Sequence, residues 1–258
     1  MNKRPKVPWT RPHNATSIYL PALVCYRSHR MRIAEIFRSM QGEGFLTGTD
    51  SIFVRTAGCN LRCWFCDTPY ASWHPRGDDR SVHDVVRLVL GFGVEHVVLT
   101  GGEPMLHAEL IPLCAALTSQ GCHITVETAG TLYLPVRCDL MSISPKLSNS
   151  SPRPGEHERR RRRHDRTRHA PQVIRRLTEE HAYQVKFVID DPLDLDEVES
   201  YLAEFPELDR NCVLLMPQGT DATTLQRTQT WLEPECRDRG FRFCPRKHVE
   251  WYGLVPGT

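Results

Sequence analysis

Short apolar runs rich in β-branched residues alternate with segments of helical period along most of the chain, and this alternation limits the fold more than any other feature. The pattern predicts strands at 32–37, 51–56, 96–99, 123–127, 140–143, 184–189, 213–216 and 241–243. Helices are predicted at 82–90, 108–119, 171–180, 195–204 and 222–239. Strand followed by helix, repeated about six times, implies a parallel sheet with right-handed crossovers. For 258 residues that means an α/β chain built as an incomplete (β/α)6-type partial TIM barrel, not a closed eightfold one.

Ligand groups of such a sheet belong to the loops after the strands' C-terminal ends. The chemically loaded strings fall there: AGCNLRCWFCDTPY after 51–56, TGGEP after 96–99, ETAG at the end of 123–127, and SPK after 140–143. Their convergence on one face predicts a single site.

Cys59, Cys63 and Cys66 form a CxxxCxxC spacing. Three thiolates this close can hold three irons of a [4Fe–4S] cluster and leave the fourth iron open. Structural zinc wants four ligands, often as two CxxC-type pairs, and no second pair exists; His74 is the only nearby supplement. A disulfide framework is not needed at this length, and the other seven cysteines are scattered. Cys114, Cys122, Cys138 and Cys212 lie in apolar segments and read as small core residues.

The net charge of +2 conceals two basic additions to an acidic body. Residues 1–30 hold six Lys or Arg and no acid, and 153–169 hold eight Arg against three acids, which leaves −9 elsewhere. The body has no nucleic-acid footprint. The first segment reads as a disordered or non-native extension, with ordered pattern starting at Met31; as a targeting segment it is spoiled by Pro21 inside its apolar run. The second addition, 148–169, lacks apolar periodicity and is expected to be a mobile basic surface loop inserted in a core domain of residues 31–258. Its Arg159–Arg163 run could grip RNA or phosphate, but no aromatic residue is interleaved to stack on bases. No apolar run approaches the roughly 18 residues of a membrane span. A reduced cluster suits the cytoplasm.

Taken together, EIFRSMQGEG, FVRTAGCNLRCWFCDT, TGGEP, ETAG and SPK resemble the 7-carboxy-7-deazaguanine synthases of the radical S-adenosylmethionine (SAM) superfamily. The likeness covers most of residues 31–147 and returns in PRKHVEWYGLVPGT at the C-terminus. It implies that the cysteines ligate the cluster and that SAM contacts Phe65, Cys66, Asp67, Gly102, Glu103, Ser144, Pro145 and Lys146. It further implies that Thr68 ligates Mg²⁺ together with substrate and water, since one hydroxyl is a poor magnesium site. The pterin substrate would meet Met40, Gln41, Gly42, Glu43, Arg55, Thr100, Glu127 and Thr258. The implied reaction contracts the ring of 6-carboxy-5,6,7,8-tetrahydropterin with loss of ammonia, started by a 5′-deoxyadenosyl radical at C6. A homodimer and an external flavodoxin- or ferredoxin-like electron donor are also implied. No residue is assigned to the proton transfers.

Blander readings stand beside these. QGEG alone could be a polar turn, SPK a capping turn, Arg55 half of a surface ion pair, Glu127 a structural acid, and the C-terminus a free tail. Whole-chain alternatives are an activating enzyme for glycyl radicals, a non-enzymatic zinc or RNA module, and a family member without activity.

Overall fold

In a computed structural model the chain is described at residues 30–155, 157–253, 255 and 257. The expected extension therefore lies outside the described residues except for Arg30, which already opens the first strand. Among the described residues the strands form one nine-stranded sheet. It contains β1 (Arg30–Met40), β2 (Asp50–Thr56), β3 (Asp78–Ser81), β4 (His96–Gly101), β5 (His123–Thr128), β6 (Leu140–Ile143), β7 (Tyr183–Ile189), β8 (Val213–Pro217) and β9 (Arg242–Phe243). The order is β3-β1-β2-β4-β5-β6-β7-β8-β9; β2 and β4 to β9 run parallel, and β1 is antiparallel to both neighbours. The two edges do not pair, so the sheet stays open.

The helices are α1 (Val82–Gly91), α2 (Leu110–Ser119), α3 (Glu158–Thr167), α4 (Pro171–Glu180), α5 (Asp194–Ala203), α6 (Ala222–Arg239) and α7 (Lys247–Tyr252). None among the described residues is long and apolar enough to cross a membrane. Local chemistry explains several boundaries. Ser81 caps α1 by accepting from the Asp84 N–H, Asp221 caps α6 through Thr224, and Gly240 ends α6 in the left-handed region. β4 and β8 are buried along nearly their whole length, as strands covered on both faces must be. Helices α4 and α5 close the core with Ile174, Leu177 and Tyr201, and the Tyr201 ring packs against both Phe187 of β7 and Phe205, just past α5.

The alternation fails in two places. β1 doubles back on β2 through the turn that carries QGEG, so the first pairing is antiparallel, and residues 129–139 join β5 to β6 without a helix. Cys138 and Cys212 are half-buried, whereas Cys114 and Cys122 are buried as expected.

The basic segment at 148–169 is not the expected loop. It carries a helical turn at Ser148–Ser150 and all of α3. The helix forms without an apolar face because Arg162–Glu158 and Arg161–Asp165 pair one turn apart and one residue, His164, is fully buried beneath it. The amide N–H of Arg62 donates to Nδ1 of His164 at 3.0 Å, which fixes the Nε2–H tautomer. That N–H then donates to Oγ of Ser150 at 2.9 Å, and Ser150 donates to the Leu147 carbonyl at 2.6 Å.

His96 is similarly enclosed, between Oγ of Ser51 (2.6 Å) and Oγ1 of Thr125 (2.9 Å), and knits β2, β4 and β5 together. Burial pushes both His96 and His164 from the ordinary 6.5 down to about 4. Between those values the unfolded chain binds protons that the folded chain refuses, so stability falls as pH drops through the window. Each histidine is expected to cost on the order of 1–2 kcal/mol by about pH 5. Urea unfolding of the protein at several pH values checks this; a midpoint unchanged from neutral pH would refute it.

Candidate active site

The loops after β2, β4, β5 and β6 and the turn after β1 line one cavity at the C-terminal edge of the parallel strands. At one end sit Cys59, Cys63 and Cys66, none of them in a disulfide. The loop carrying them is bound from several sides. Trp73 donates its indole N–H to the Cys63 carbonyl (2.9 Å), the Trp64 amide to the Ser150 carbonyl (3.1 Å), and Arg62 reaches the Cys59 and Leu61 carbonyls (2.6 Å each).

Burial pushes the thiols of Cys59 and Cys63 up to about 11 and about 12. Thiolates there need a cation to compensate them, which suits iron ligation and does not suit surface reactivity. No three His, Cys, Asp or Glu side chains among the described residues converge as a site for one metal ion. The three cysteines do line one shared cavity.

Beside them the last two residues of β4, Thr100 and Gly101, line the cavity together with Gly102. A Cβ on Gly102 would collide with the carbonyls of Gly58 and Ala71, the latter at 2.7 Å. Gly102→Val is therefore expected to displace the cysteine loop, lowering the melting midpoint and the iron bound per chain. An unchanged midpoint and full iron content would remove this constraint.

Glu103 departs from the expectation for it. The side chain is fully buried, accepts from the Met105 N–H, the Thr128 hydroxyl and the Ala129 N–H, and does not line the cavity. Burial holds its carboxyl above the usual range. It sets the β4 and β5 loops relative to one another. Pro145 is likewise buried and turned away, whereas Ser144 and Lys146 line the cavity, with the Lys146 ammonium donating to the Ser144 carbonyl and hydroxyl. Phe65, Asp67 and Thr68 line it too; Oγ1 of Thr68 lies 3.8 Å from the sulfur of Cys66.

The opposite end begins with Met40, Gln41, Gly42 and Glu43 in the β1–β2 turn. Gly44 holds this turn in the left-handed region, with the Gln184 side chain where a Cβ would stand. Gln41 is oriented at both ends of its amide: Oε1 accepts from the Glu43 N–H at 3.1 Å and Nε2 donates to Glu127 at 3.2 Å. Glu127 lines the same cavity.

Glu43 is the centre of a charge cluster that composition did not reveal. Lys186 donates to it at 2.8 Å and stands 3.8 Å from Glu127; Arg246 donates at 3.4 Å, and His248 is 3.8 Å away. Arg246 also grips Asp67 and donates to the Gly219 carbonyl at 2.6 Å. Burial alone would raise the Glu43 carboxyl, but Lys186 and Arg246 overrule it and hold it well below the usual carboxylate range. Lys186, although buried, is held above its ordinary value by Glu43 and Glu127. Arg55 lines the cavity, but its Nε already donates to Glu35 at 2.6 Å, and the Tyr70 hydroxyl donates to the same oxygen at 2.7 Å.

Glu35, Lys186, Arg246 and His248 were therefore missed. Lys186 left a trace, as a lone cation in the apolar run QVKFVI. Arg246 and His248 lie in the C-terminal string already expected to close the pocket, and Gly253, Val255 and Gly257 line the cavity as well. Thr258 falls outside the described residues.

The radical SAM superfamily profile matches residues 53–146. The 7-carboxy-7-deazaguanine synthase of Rhodopirellula baltica is 46% identical over 88% of this chain and 88% of its own. The chain belongs to the 7-carboxy-7-deazaguanine synthase family. The synthase of Halobacterium salinarum is 41% identical over 88% of this chain and 92% of its own. The crystal structure of QueE from Escherichia coli superposes with a TM-score of 0.64 at 25% identity, covering 88% of this chain and 98% of that one. Membership makes the chain a radical SAM lyase, with a [4Fe–4S] cluster and SAM as its cofactors, on an α/β sheet not closed into a barrel.

Proposed function

We propose that the chain converts 6-carboxy-5,6,7,8-tetrahydropterin to 7-carboxy-7-deazaguanine with loss of ammonia; its relatives are named for that product. The observation that carries this reading is one cavity shared by the three thiols and by an oriented amide and carboxylate pair, Gln41 and Glu127. When bound, the cluster and SAM supply the radical that starts the reaction.

The chain's own residues then have separable tasks. Cys59, Cys63 and Cys66 hold the cluster, and the bare backbone at Gly102 with Ser144 and Lys146 receives SAM. Gln41 and Glu127 meet the polar edge of the ring, which carries N–H donors. The clamp of Lys186 and Arg246 keeps Glu43 ionised and fixed beneath it. Arg55, steadied by Glu35, presents positive charge to the substrate carboxylate. Thr68 offers one oxygen to Mg²⁺, and Asp67 is engaged by Arg246, so the substrate carboxylate and water would complete the shell. Magnesium should bind appreciably only with substrate present. An external one-electron donor, a homodimer and a cytoplasmic setting complete the proposal.

Reconstituted protein incubated anaerobically with the carboxytetrahydropterin, SAM, Mg²⁺ and dithionite should release ammonia and the deazaguanine acid. Reductive SAM cleavage without consumption of the pterin, but with hydrogen abstracted from a partner protein, would decide for an activating enzyme instead.

A further inference from the structure

The outer face of α3 has no task in the cavity. Arg159, Arg162, Arg163 and Arg166 fall on one stripe of the helix, all exposed. Arg162 pairs with Glu158, but among the described residues no carboxylate pairs with Arg159, Arg163 or Arg166. The inner face is committed to the cysteine loop. His164 is locked to the Arg62 amide, next to Cys63, and the guanidinium of Arg160 lies 5.5 Å over the Trp73 ring, whose N–H holds the Cys63 carbonyl. Arg153, just before the helix, lies 5.0 Å over Trp64, which follows Cys63 and is 36% exposed.

A dense positive patch is thus attached, through hydrogen bonds and ring contacts, to the backbone of one cluster cysteine, on a chain that carries −9 outside residues 1–30 and 153–169. We propose that α3 is the docking helix for an acidic one-electron carrier protein. This rests on the reading of the three cysteines as redox-cluster ligands, and it assigns the surface through which the electron arrives. One electron leaves the carrier's reduced flavin, taking hydroquinone to semiquinone, and enters the group held by Cys59, Cys63 and Cys66.

Charge and size both favour this partner. Electron-transfer encounters are small and steered by opposite charge, and a ten-residue helix about 15 Å long matches such a footprint. A single-stranded nucleic acid would want rings open between the basic residues, yet one face of Trp64 and one of Trp73 are already taken by Arg153 and Arg160.

The test compares wild type with an R159E/R163E/R166E variant, using a reduced bacterial flavodoxin as the probe. Stopped-flow bleaching of the reconstituted cluster reads electron entry without any pterin, so its outcome is separate from that of the ring contraction. Bleaching of wild type by flavodoxin should slow steeply as salt rises. The variant should be at least tenfold slower with flavodoxin, insensitive to salt, and unchanged with dithionite. An R159Q/R163Q/R166Q variant should fall between them. Titration of the cluster-free proteins with oxidised flavodoxin, followed by tryptophan fluorescence, should show weakened binding in the same order. Equal flavodoxin rates in all three proteins would overturn the proposal. So would parallel slowing with dithionite, which marks a structural role, or bulk tRNA binding through the same arginines more tightly than flavodoxin.

Discussion

Cys63→Ala protein is expected to fold, to melt within a few degrees of wild type, and to form no measurable product. The loss should be on the order of 10³-fold or more, as for removing one member of a group that acts as a unit. Iron and sulfide per chain should fall with it, because the two remaining thiols cannot compensate a cluster where burial resists thiolate formation so strongly. Cys114→Ala is the matched control. That thiol is buried in the core away from the cavity, so its loss should cost on the order of 1 kcal/mol in stability and leave iron and turnover alone. Full iron content in the Cys63 variant would take the residue out of the ligand set.

The second large effect is expected in the charge cluster. Lys186→Met leaves Glu43 and Glu127 facing each other with their shared cation gone. Breaking a buried pair from one side costs about 3–5 kcal/mol, and the low end applies because Arg246 still faces Glu43. At this chain length about 3 kcal/mol corresponds to a melting midpoint lower by roughly 6–12 °C. Adding Glu43→Gln to Lys186→Met should restore much of that, since an uncompensated carboxylate, and not a missing contact, is the cause. Activity should stay low in both, with KM raised more than kcat falls, because the Gln41 and Glu127 edge is left unsupported. Melting curves and steady-state kinetics read the two parts separately. A single variant within 1 kcal/mol of wild type would mean the cluster is solvated and the argument fails.

Most of this fold could be read from residue order because its strands are buried on both faces and announce themselves as apolar runs. The cysteine, TGGEP and SPK strings could be placed for the same reason: parallel topology sends every such loop to one edge. What escaped has a different physical origin. β3 is four polar or charged residues, Asp78–Ser81, paired with β1 at the sheet edge. Helix α3 has almost no apolar face, and a single buried imidazole replaces it. Glu103 could not be told from a ligand by spacing, because whether its carboxylate faces a cavity or a neighbouring loop depends on where residues 128 and 129 lie. The clamp on Glu43 joins residues about 140 and 200 positions away, beyond the reach of any local pattern.

Those separations have a temporal consequence. The three cysteines lie within eight residues of each other. The opposite end of the cavity needs Glu43 to meet Arg246, a closure spanning 203 residues. Contacts that distant form late, after the loop between them has become ordered. During synthesis Arg246 leaves the ribosome long after both Glu43 and Asp67, the two carboxylates it joins, so the charged side of the cavity is completed well after the cysteine loop has been made.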